Sequence, residues 1–165
     1  MADPAPVLHH LAANNVVVGV TDFLSLPLPA PWRVTRAVVT PEVATTLRTD
    51  SRVWVASGET RHVIFDRAQN RGLDLVVRIS QGLPRFVHRG RVVLDEGRAV
   101  IGGHEAHYRI IRRGRGLFVR GDEEALLVAF ACPATSRGVS VEIAGASTLE
   151  ELRTFLRAMT GVECH

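Results

Sequence analysis

Apolar and polar residues alternate along much of this chain. The clearest run lies at 73–79, where Leu73, Leu75, Val77 and Ile79 form one apolar face between more polar positions. A period of two predicts a half-buried β-strand. Similar alternation predicts further short strands at 14–20, 32–39, 53–56, 63–66, 104–111 and 139–143. We therefore predict a sheet that is built from many short strands.

Glycines mark the places where these strands are expected to turn. Glycine adopts the left-handed backbone that tight turns often need. The segment Ala125–Cys132 differs from the other strands because it is apolar on both faces, which predicts a central strand that is covered on both sides. The predicted turns lie at Gly58-Glu59, Gly82, Gly90, Gly97 and Gly102-Gly103.

Two segments carry helix signals. Ser147 and Glu150 have the spacing of a capping box, and Gly161 can end a helix that begins there. Apolar residues recur at helical spacing between them, which predicts an amphipathic helix over about 148–160. A shorter helix is predicted after Thr40, because Pro41 suits the first helical position.

The order of these elements predicts an α+β fold. We expect a twisted, mostly antiparallel sheet of many short strands, with the C-terminal helix (about 148–160) packed on one face. A chain of 165 residues forms one domain by default, so we assign residues 1–165 to a single domain.

Composition excludes several classes of protein. Hydrophobic residues make up 46% of the chain, which is too many for an intrinsically disordered protein. The longest apolar run, Ala125–Cys132, is too short to span a bilayer, so we expect no membrane association. The first residues lack a basic region followed by an apolar core, so we predict a cytoplasmic protein.

Several features resemble the PsbP-like group of α+β domains. They are Pro29 and Trp32 in an extended segment, the stretch from Gly103 to Tyr108, and the two strands around Pro133 followed by the final helix. The resemblance implies a twisted antiparallel sheet sandwiched by helices. Members of that group are mostly assembly factors, adaptors or small lipoprotein domains, so it implies a binding or scaffolding role and carries over no catalytic residue. This chain is expected to depart from the group, because its first residues do not have the pattern of an export signal.

The two cysteines allow three interpretations. A disulfide between Cys132 and Cys164 would hold the last residues to the core. Two free thiols are the alternative, and a reduced cytoplasm favours them. In a third interpretation, Cys164 and His165 join Cys132 and a distant histidine in a tetrahedral metal site. We weigh this last interpretation lowest and predict no metal and no cofactor.

The sequence holds no strong catalytic motif. His104 and His107 lie three positions apart on a predicted strand, so they point to opposite faces and cannot bind one ion together. Cys132 is the best nominee for a nucleophile, with a nearby arginine to lower its pKa, but a cysteine that ends an apolar strand is usually a buried hydrophobe. We therefore predict that the protein is not an enzyme.

All 20 basic residues that give the chain its net charge of +3 are arginines. They concentrate between residues 85 and 120, where neighbouring hairpins could form a polyanion-binding patch. Asp122, Glu123 and Glu124 would partly neutralise that patch, and few aromatic residues are available for stacking on bases. The candidate residues are Arg85, Arg89, Arg91, Arg109, Arg112, Arg113 and Arg115.

Together these observations predict a non-catalytic binding, adaptor or assembly module with an unidentified ligand. Its partner would be another protein, or a second copy of the chain that pairs along an exposed sheet edge. The alternative function is binding of nucleic acid or another polyanion through the arginines between residues 85 and 120.

Overall fold

A computed structural model describes residues 5–15, 19–39, 43–47, 54–86, 91–113, 123–146 and 148–164. In chain order the strands are β1 (Val7–Asn15), β2 (Gly19–Leu28), β3 (Arg33–Val39), β4 (Val43–Leu47), β5 (Trp54–Asp66), β6 (Arg71–Ser80), β7 (Val92–Ile101), β8 (His104–Arg113), β9 (Glu123–Cys132), β10 (Arg137–Ala146) and β11 (Glu163–Cys164). The helix α1 spans Leu149–Ala158 and continues into a 3-10 turn at Met159–Gly161.

Eight of the strands form one large antiparallel sheet. Its order is β3-β5-β6-β10-β9-β8-β7, and β4 pairs with β5 beside this path. The remaining three strands form a small sheet in the order β1-β2-β11. The predicted α+β class is therefore confirmed, and so is the mostly antiparallel sheet with a short C-terminal helix.

The core lies between one face of the large sheet and a layer made by the small sheet and α1. We call this face of the large sheet the inner face; Leu75, Val128 and Val141 are three of its fully buried residues. The helix contributes Leu152 and Phe155, and the Phe155 ring lies 5.4 Å from the Trp32 ring between centroids. Full burial of one such side chain stabilises a fold by about 1.5–3 kcal/mol, so the helix is held mainly by its apolar side.

The opposite face of the large sheet, which we call the outer face, carries both charged and apolar side chains. Glu59, Arg61, Arg78 and Glu142 form a row of ion pairs there. Beside that row a second apolar cluster covers the middle of the sheet; its members are Ile111, Ala125, Leu127 and Ala144, with Phe86 packed against them. This cluster explains why β9 is apolar on both faces, and it confirms the predicted central strand.

Several predicted elements agree with the structure, and the start of α1 differs by one residue. The alternating run at 73–79 lies in β6 with its apolar face inward. The helix cap is Thr148, whose side chain accepts a hydrogen bond from the Glu151 backbone N–H. Thr148 and Glu151 have the same spacing as Ser147 and Glu150, so the sequence offers two overlapping capping boxes, and the cap that the structure shows belongs to the later one.

Four local predictions were wrong. The strand expected over 14–20 is divided between β1 and β2, which pair antiparallel with Asn14 opposite Val20 and Asn15 opposite Gly19. Gly58-Glu59 is not a turn, because β5 runs through it and is paired on both sides, with β4 and β6. Gly97 lies inside β7, where a Cβ atom would be 3.0 Å from the Tyr108 ring, so the glycine makes room for an aromatic side chain. The helix expected after Thr40 is replaced at 43–47 by β4, whose pairing with β5 outweighs the local helix signal.

In the part of the chain that the structure describes, no helix is long and apolar enough to cross a membrane.

Candidate functional site

The structure places the seven arginines of the predicted polyanion patch on several elements. Arg85 is exposed in the segment after β6, and Arg91 is half-buried just before β7. Arg109 and Arg112 lie on β8, and Arg113 ends that strand. Arg89 and Arg115 fall outside the described residues, as does the side chain of Arg113.

Arg109 and Arg112 lie on opposite faces of the large sheet, and each contacts a carboxylate. On the outer face, Arg109 Nε donates to Glu96 Oε2 at 2.7 Å, and its guanidinium lies 5.7 Å from the centre of the Phe86 ring. On the inner side, Arg112 Nη2 donates to Glu124 Oε1 at 3.0 Å. The structure therefore does not bring Arg109 and Arg112 together, and a shared patch stays a prediction.

A groove with a volume of about 580 Å³ lies on the outer face above β7 and β8. Phe86 and Pro84 form part of its wall because the chain bends at Gly82 and folds back over the sheet. Its other lining residues are Glu96, Gly97, Arg98, His107, Tyr108 and Arg109. No sequence signal predicts this groove, since nothing in an irregular segment such as 83–86 indicates which surface it covers.

β7 is the outermost strand of the large sheet. It pairs with β8 along one edge, and no described strand pairs with its other edge. Three of its valines are open to solvent: Val92 and Val100 are each 62% exposed and Val93 is 42% exposed. An edge strand of ten residues with exposed apolar side chains is a template for pairing with another strand.

Two thiols and an imidazole meet at one end of the large sheet. Cys132 ends β9, Cys164 lies in β11, and His104 begins β8. One ligand atom from each of these three residues lies within 4.8 Å of the other two. Both cysteines are free thiols in the structure, so a disulfide between them stays a prediction.

The pairing of β8 with β9 explains why His104 meets Cys132. Ala106 lies opposite Phe130, and continuing that register by two residues places His104 opposite Cys132 on the inner face. The His104 ring stacks on Phe130, with a centroid distance of 6.0 Å and an interplanar angle of 13°. The sequence does not predict this contact between His104 and Cys132, because the register of β8 against β9 is not readable from the pattern of either strand.

The C-terminal segment reaches the same place through two backbone contacts. The N–H of Gly102, in the turn between β7 and β8, donates to the Thr160 carbonyl at 3.2 Å. β11 pairs with β2, with Cys164 opposite Leu24. The last residues are thereby held between the small sheet and the turn that precedes His104, and this brings Cys164 to Cys132.

The surroundings of the two sulphur atoms are unequal. Burial acts to raise the pKa of the Cys132 thiol, but hydrogen bonds from Thr135, Cys164 and the Ala134 backbone outweigh it and lower that pKa. Burial, together with the hydrogen bond and the charge of the Cys132 thiolate, raises the pKa of Cys164 to about 12. Of the two thiols, Cys132 therefore has the lower pKa, and the two side chains are hydrogen-bonded to each other.

These contacts bear on the expectation that Cys132 is a nucleophile activated by an arginine. The groups that lower its pKa are the Thr135 hydroxyl, the Cys164 thiol and backbone N–H groups, and none is an arginine. Cys132 is 1% exposed, so its sulphur does not face a cleft that could admit a substrate. Its burial matches the alternative interpretation of a buried cysteine at the end of an apolar strand.

His104 and His107 lie on opposite faces of β8, as their spacing predicted. His104 is half-buried on the inner side, whereas His107 is exposed on the outer face and lines the groove. Among the described residues, His104 is the histidine that lies near both cysteines, as the metal interpretation required. His165, which that interpretation also named, lies outside the described residues.

Comparisons with known proteins found no matching family model, no matching curated protein and no matching solved structure. The resemblance to PsbP-like domains therefore stays a prediction.

Proposed function

We propose that this chain is a non-catalytic assembly module that self-associates through the outer edge of β7. Two copies would pair their β7 strands antiparallel, so that the two large sheets become one continuous sheet. The observation that carries the proposal is that no described strand pairs with the outer edge of β7, a strand on which Val92, Val93 and Val100 are exposed. Strand addition of this kind supplies backbone hydrogen bonds that a lone edge strand lacks.

The charges of β7 favour one register of that pairing. Residues that face each other in an antiparallel pair share a sheet face, so a symmetric pair can shift only by two residues at a time. With Gly97 opposite its own copy, Glu96 of each chain lies opposite Arg98 of the other. The neighbouring registers place either Glu96 opposite Glu96 or Arg98 opposite Arg98, and like charges that face each other are destabilising.

The same register places the exposed Val100 of one chain opposite Leu94 of the other, at both ends of the paired segment. Leu94 is half-buried and packs against the core of its own chain. A bulge between Val93 and Asp95 ends the regular part of the strand, which limits the pairing to the central residues. This bulge also hinders the addition of further copies of the chain to β7 in other registers.

Ion pairs within each chain extend the row of alternating charges that Glu96 and Arg98 would form between the two copies. Glu96 accepts from Arg109 at 2.7 Å, and Arg98 Nη1 donates to Glu105 Oε1 at 2.8 Å. In the proposed pair, charges therefore alternate from Arg109 through Glu96 to Arg98 of the second copy. Exposed charge pairs contribute about 0.2–1 kcal/mol each, so the charges select the register while the backbone hydrogen bonds and Val100 supply most of the affinity.

A mixing experiment tests this pairing. Sedimentation velocity over a range of concentrations should show dimers of the unaltered chain. Arg98→Glu places Glu opposite Glu, and Glu96→Arg places Arg opposite Arg, so each variant alone should dimerise about tenfold more weakly. An equimolar mixture of the two variants should dimerise again, because each Glu then faces an Arg.

Arg67→Glu is the matched control. Arg67 is exposed in the turn between β5 and β6, so its reversal changes the net charge equally without touching β7. The control should leave the dimer unchanged. A chain that stays monomeric at all concentrations, or a mixture that remains as weak as the separate variants, would contradict the proposal.

A further inference from the structure

We infer that His104, Cys132 and Cys164 form a binding site for one transition-metal ion, with Zn²⁺ the ion that their chemistry fits best. This inference does not depend on the proposed pairing of β7. It rests on three potential ligand atoms that converge from three separate elements to within 4.8 Å of one another.

The donor set favours zinc. Two sulphur atoms and one imidazole nitrogen are soft or borderline ligands, which Mg²⁺ and Ca²⁺ do not select. Zn–S bonds of about 2.3 Å and Zn–N bonds of about 2.0–2.1 Å, arranged tetrahedrally, place ligand atoms about 3.6–3.8 Å apart. Each pair of ligand atoms therefore has to approach by at most about 1.2 Å.

The surroundings of the site prepare Cys132 to be a ligand. Its sulphur is buried and receives hydrogen bonds from Thr135 and from the Ala134 backbone, in the turn that follows β9. That turn is closed by a hydrogen bond from the Ser136 N–H to the Pro133 carbonyl at 3.3 Å. Hydrogen bonds of this kind orient metal-bound thiolates and are a regular part of metal sites.

The His104 ring is also held in place. It lies nearly parallel to the Phe130 ring, so its orientation is restricted before any ion binds. When an ion binds, the Cys132 and Cys164 thiols each release their proton as H⁺ as the two metal–sulphur bonds form. Three protein ligands leave one coordination position for a water molecule.

Binding would join elements that are distant in the chain. It would link the start of β8 and the end of β9 to the C-terminal strand β11, which pairs with β2 over two residues only. A ligand that binds the folded chain alone stabilises it in proportion to its concentration. The ion would therefore hold the C-terminal segment on the sheet.

The first experiment measures binding of the metal alone. The reduced chain, freed of metal by a chelator and desalted, is titrated with Zn²⁺ and separately with Co²⁺. We expect one ion per chain, a higher Tm with Zn²⁺, and a Co²⁺ spectrum with thiolate charge-transfer absorption. Absence of binding by the reduced chain would overturn the inference.

Matched variants test the ligands. His104→Ala should weaken Zn²⁺ binding at least tenfold, and His107→Ala should not, because His107 is exposed on the opposite face of the same strand. Cys164→Ser should remove most of the charge-transfer absorption while the half-buried position keeps the fold intact. Equal effects of the two histidine variants would contradict a site at His104.

Mass measurement separates this inference from a disulfide. Formation of a Cys132–Cys164 bond removes two hydrogen atoms and, with an oxidant such as O₂ as the acceptor, leaves no thiolate for a metal. We expect the chain purified with zinc to keep the fully reduced mass and to lose Zn²⁺ on treatment with a thiol-oxidising reagent. A chain that is already two hydrogens lighter when isolated under reducing conditions would overturn the metal site.

Discussion

The backbone of Gly102 lies so close to that of Val162 that a Cβ atom at residue 102 would be 2.4 Å from the Val162 carbonyl oxygen. Gly102 also has a φ of +55°, which disfavours any residue with a side chain. These two features join the turn between β7 and β8 to the C-terminal segment, and they hold Cys164 near His104.

We expect Gly102→Ala to lower the free energy of unfolding by more than about 2 kcal/mol, because it combines overlap with Val162 and backbone strain. Gly103→Ala is the control. Gly103 has a φ of +79° but no heavy atom within 4 Å of a Cβ, so strain alone should cost about 1–2 kcal/mol. Urea unfolding measures both values, and equal losses would show that the contact with Val162 is not close.

The ion pair between Arg71 and Glu151 should contribute more to stability than the neighbouring pair that Glu150 forms on the same helix. Both side chains are mostly buried, and the Arg71 guanidinium lies 5.5 Å from the centre of the Trp32 ring. Glu151→Gln removes one charge from this partly buried pair, so we expect a loss of about 1–3 kcal/mol. Thermal unfolding followed by circular dichroism measures the loss.

Glu150→Gln is the comparison for that variant. The Glu150 side chain is exposed and pairs with Arg157 at 2.9 Å, and such surface pairs contribute about 0.2–1 kcal/mol. If Glu150→Gln lowered stability as much as Glu151→Gln, the prediction that the contact with Arg71 anchors the helix would be wrong.

Stability should fall as the pH is lowered below about 6.5. Burial lowers the pKa of His62, which contacts the Thr60 hydroxyl at 2.8 Å, and burial together with the charge of Arg33 lowers the pKa of His9. The unfolded chain then binds protons that the folded chain does not, so the free energy of unfolding rises with pH in this window. Urea unfolding at pH 7.5, 6.5 and 5.5, chosen around the ordinary histidine pKa of about 6.5, measures the slope.

His62→Gln removes one of these two groups and keeps a polar side chain beside Thr60. The variant should therefore lose stability less steeply than the unaltered chain between those pH values. His107→Gln, at an exposed position, should leave the slope unchanged. An unaltered slope in His62→Gln would mean that His62 is not held neutral by the fold.

Oligonucleotide titration addresses the alternative function. Arg109 and Arg112 already contact Glu96 and Glu124 and lie on opposite faces, so we expect weak binding of duplex and single-stranded oligonucleotides. A protein that neutralises several phosphates loses affinity steeply as salt rises. Strong binding at low salt that disappears at moderate salt would favour the polyanion patch over the proposed assembly module.

The local pattern of apolar and polar residues was sufficient to predict the strands whose burial is regular. The alternation at 73–79 and the two-sided apolar segment at 125–132 identified β6 and β9, because each burial pattern repeats along a whole strand. Gly58 and Gly97 were misread since glycine serves both turns and close approach inside strands. In β7, the deciding contact is the Tyr108 ring on the neighbouring strand, which local sequence does not reveal.

The candidate site depended on pairing between distant segments. The metal interpretation of the sequence named both cysteines and required a distant histidine. His104 could be identified as that histidine only after β8 was known to lie beside β9. The position of Cys164 depends in turn on the small sheet and on the turn at Gly102. Such relationships come from tertiary contacts, so a pattern along the chain does not contain them.

The place of β10 in the large sheet has a consequence for how the chain is made. β10 pairs with β6 on one side and β9 on the other, although it is synthesised after every other described strand of the large sheet. Until residues 137–146 leave the ribosome, the hairpin of β5 and β6 and the group of β7, β8 and β9 remain separate pieces with unpaired edges. The apolar strand β9 is thus the segment most exposed to aggregation during synthesis, and arrival of β10 closes both edges at once.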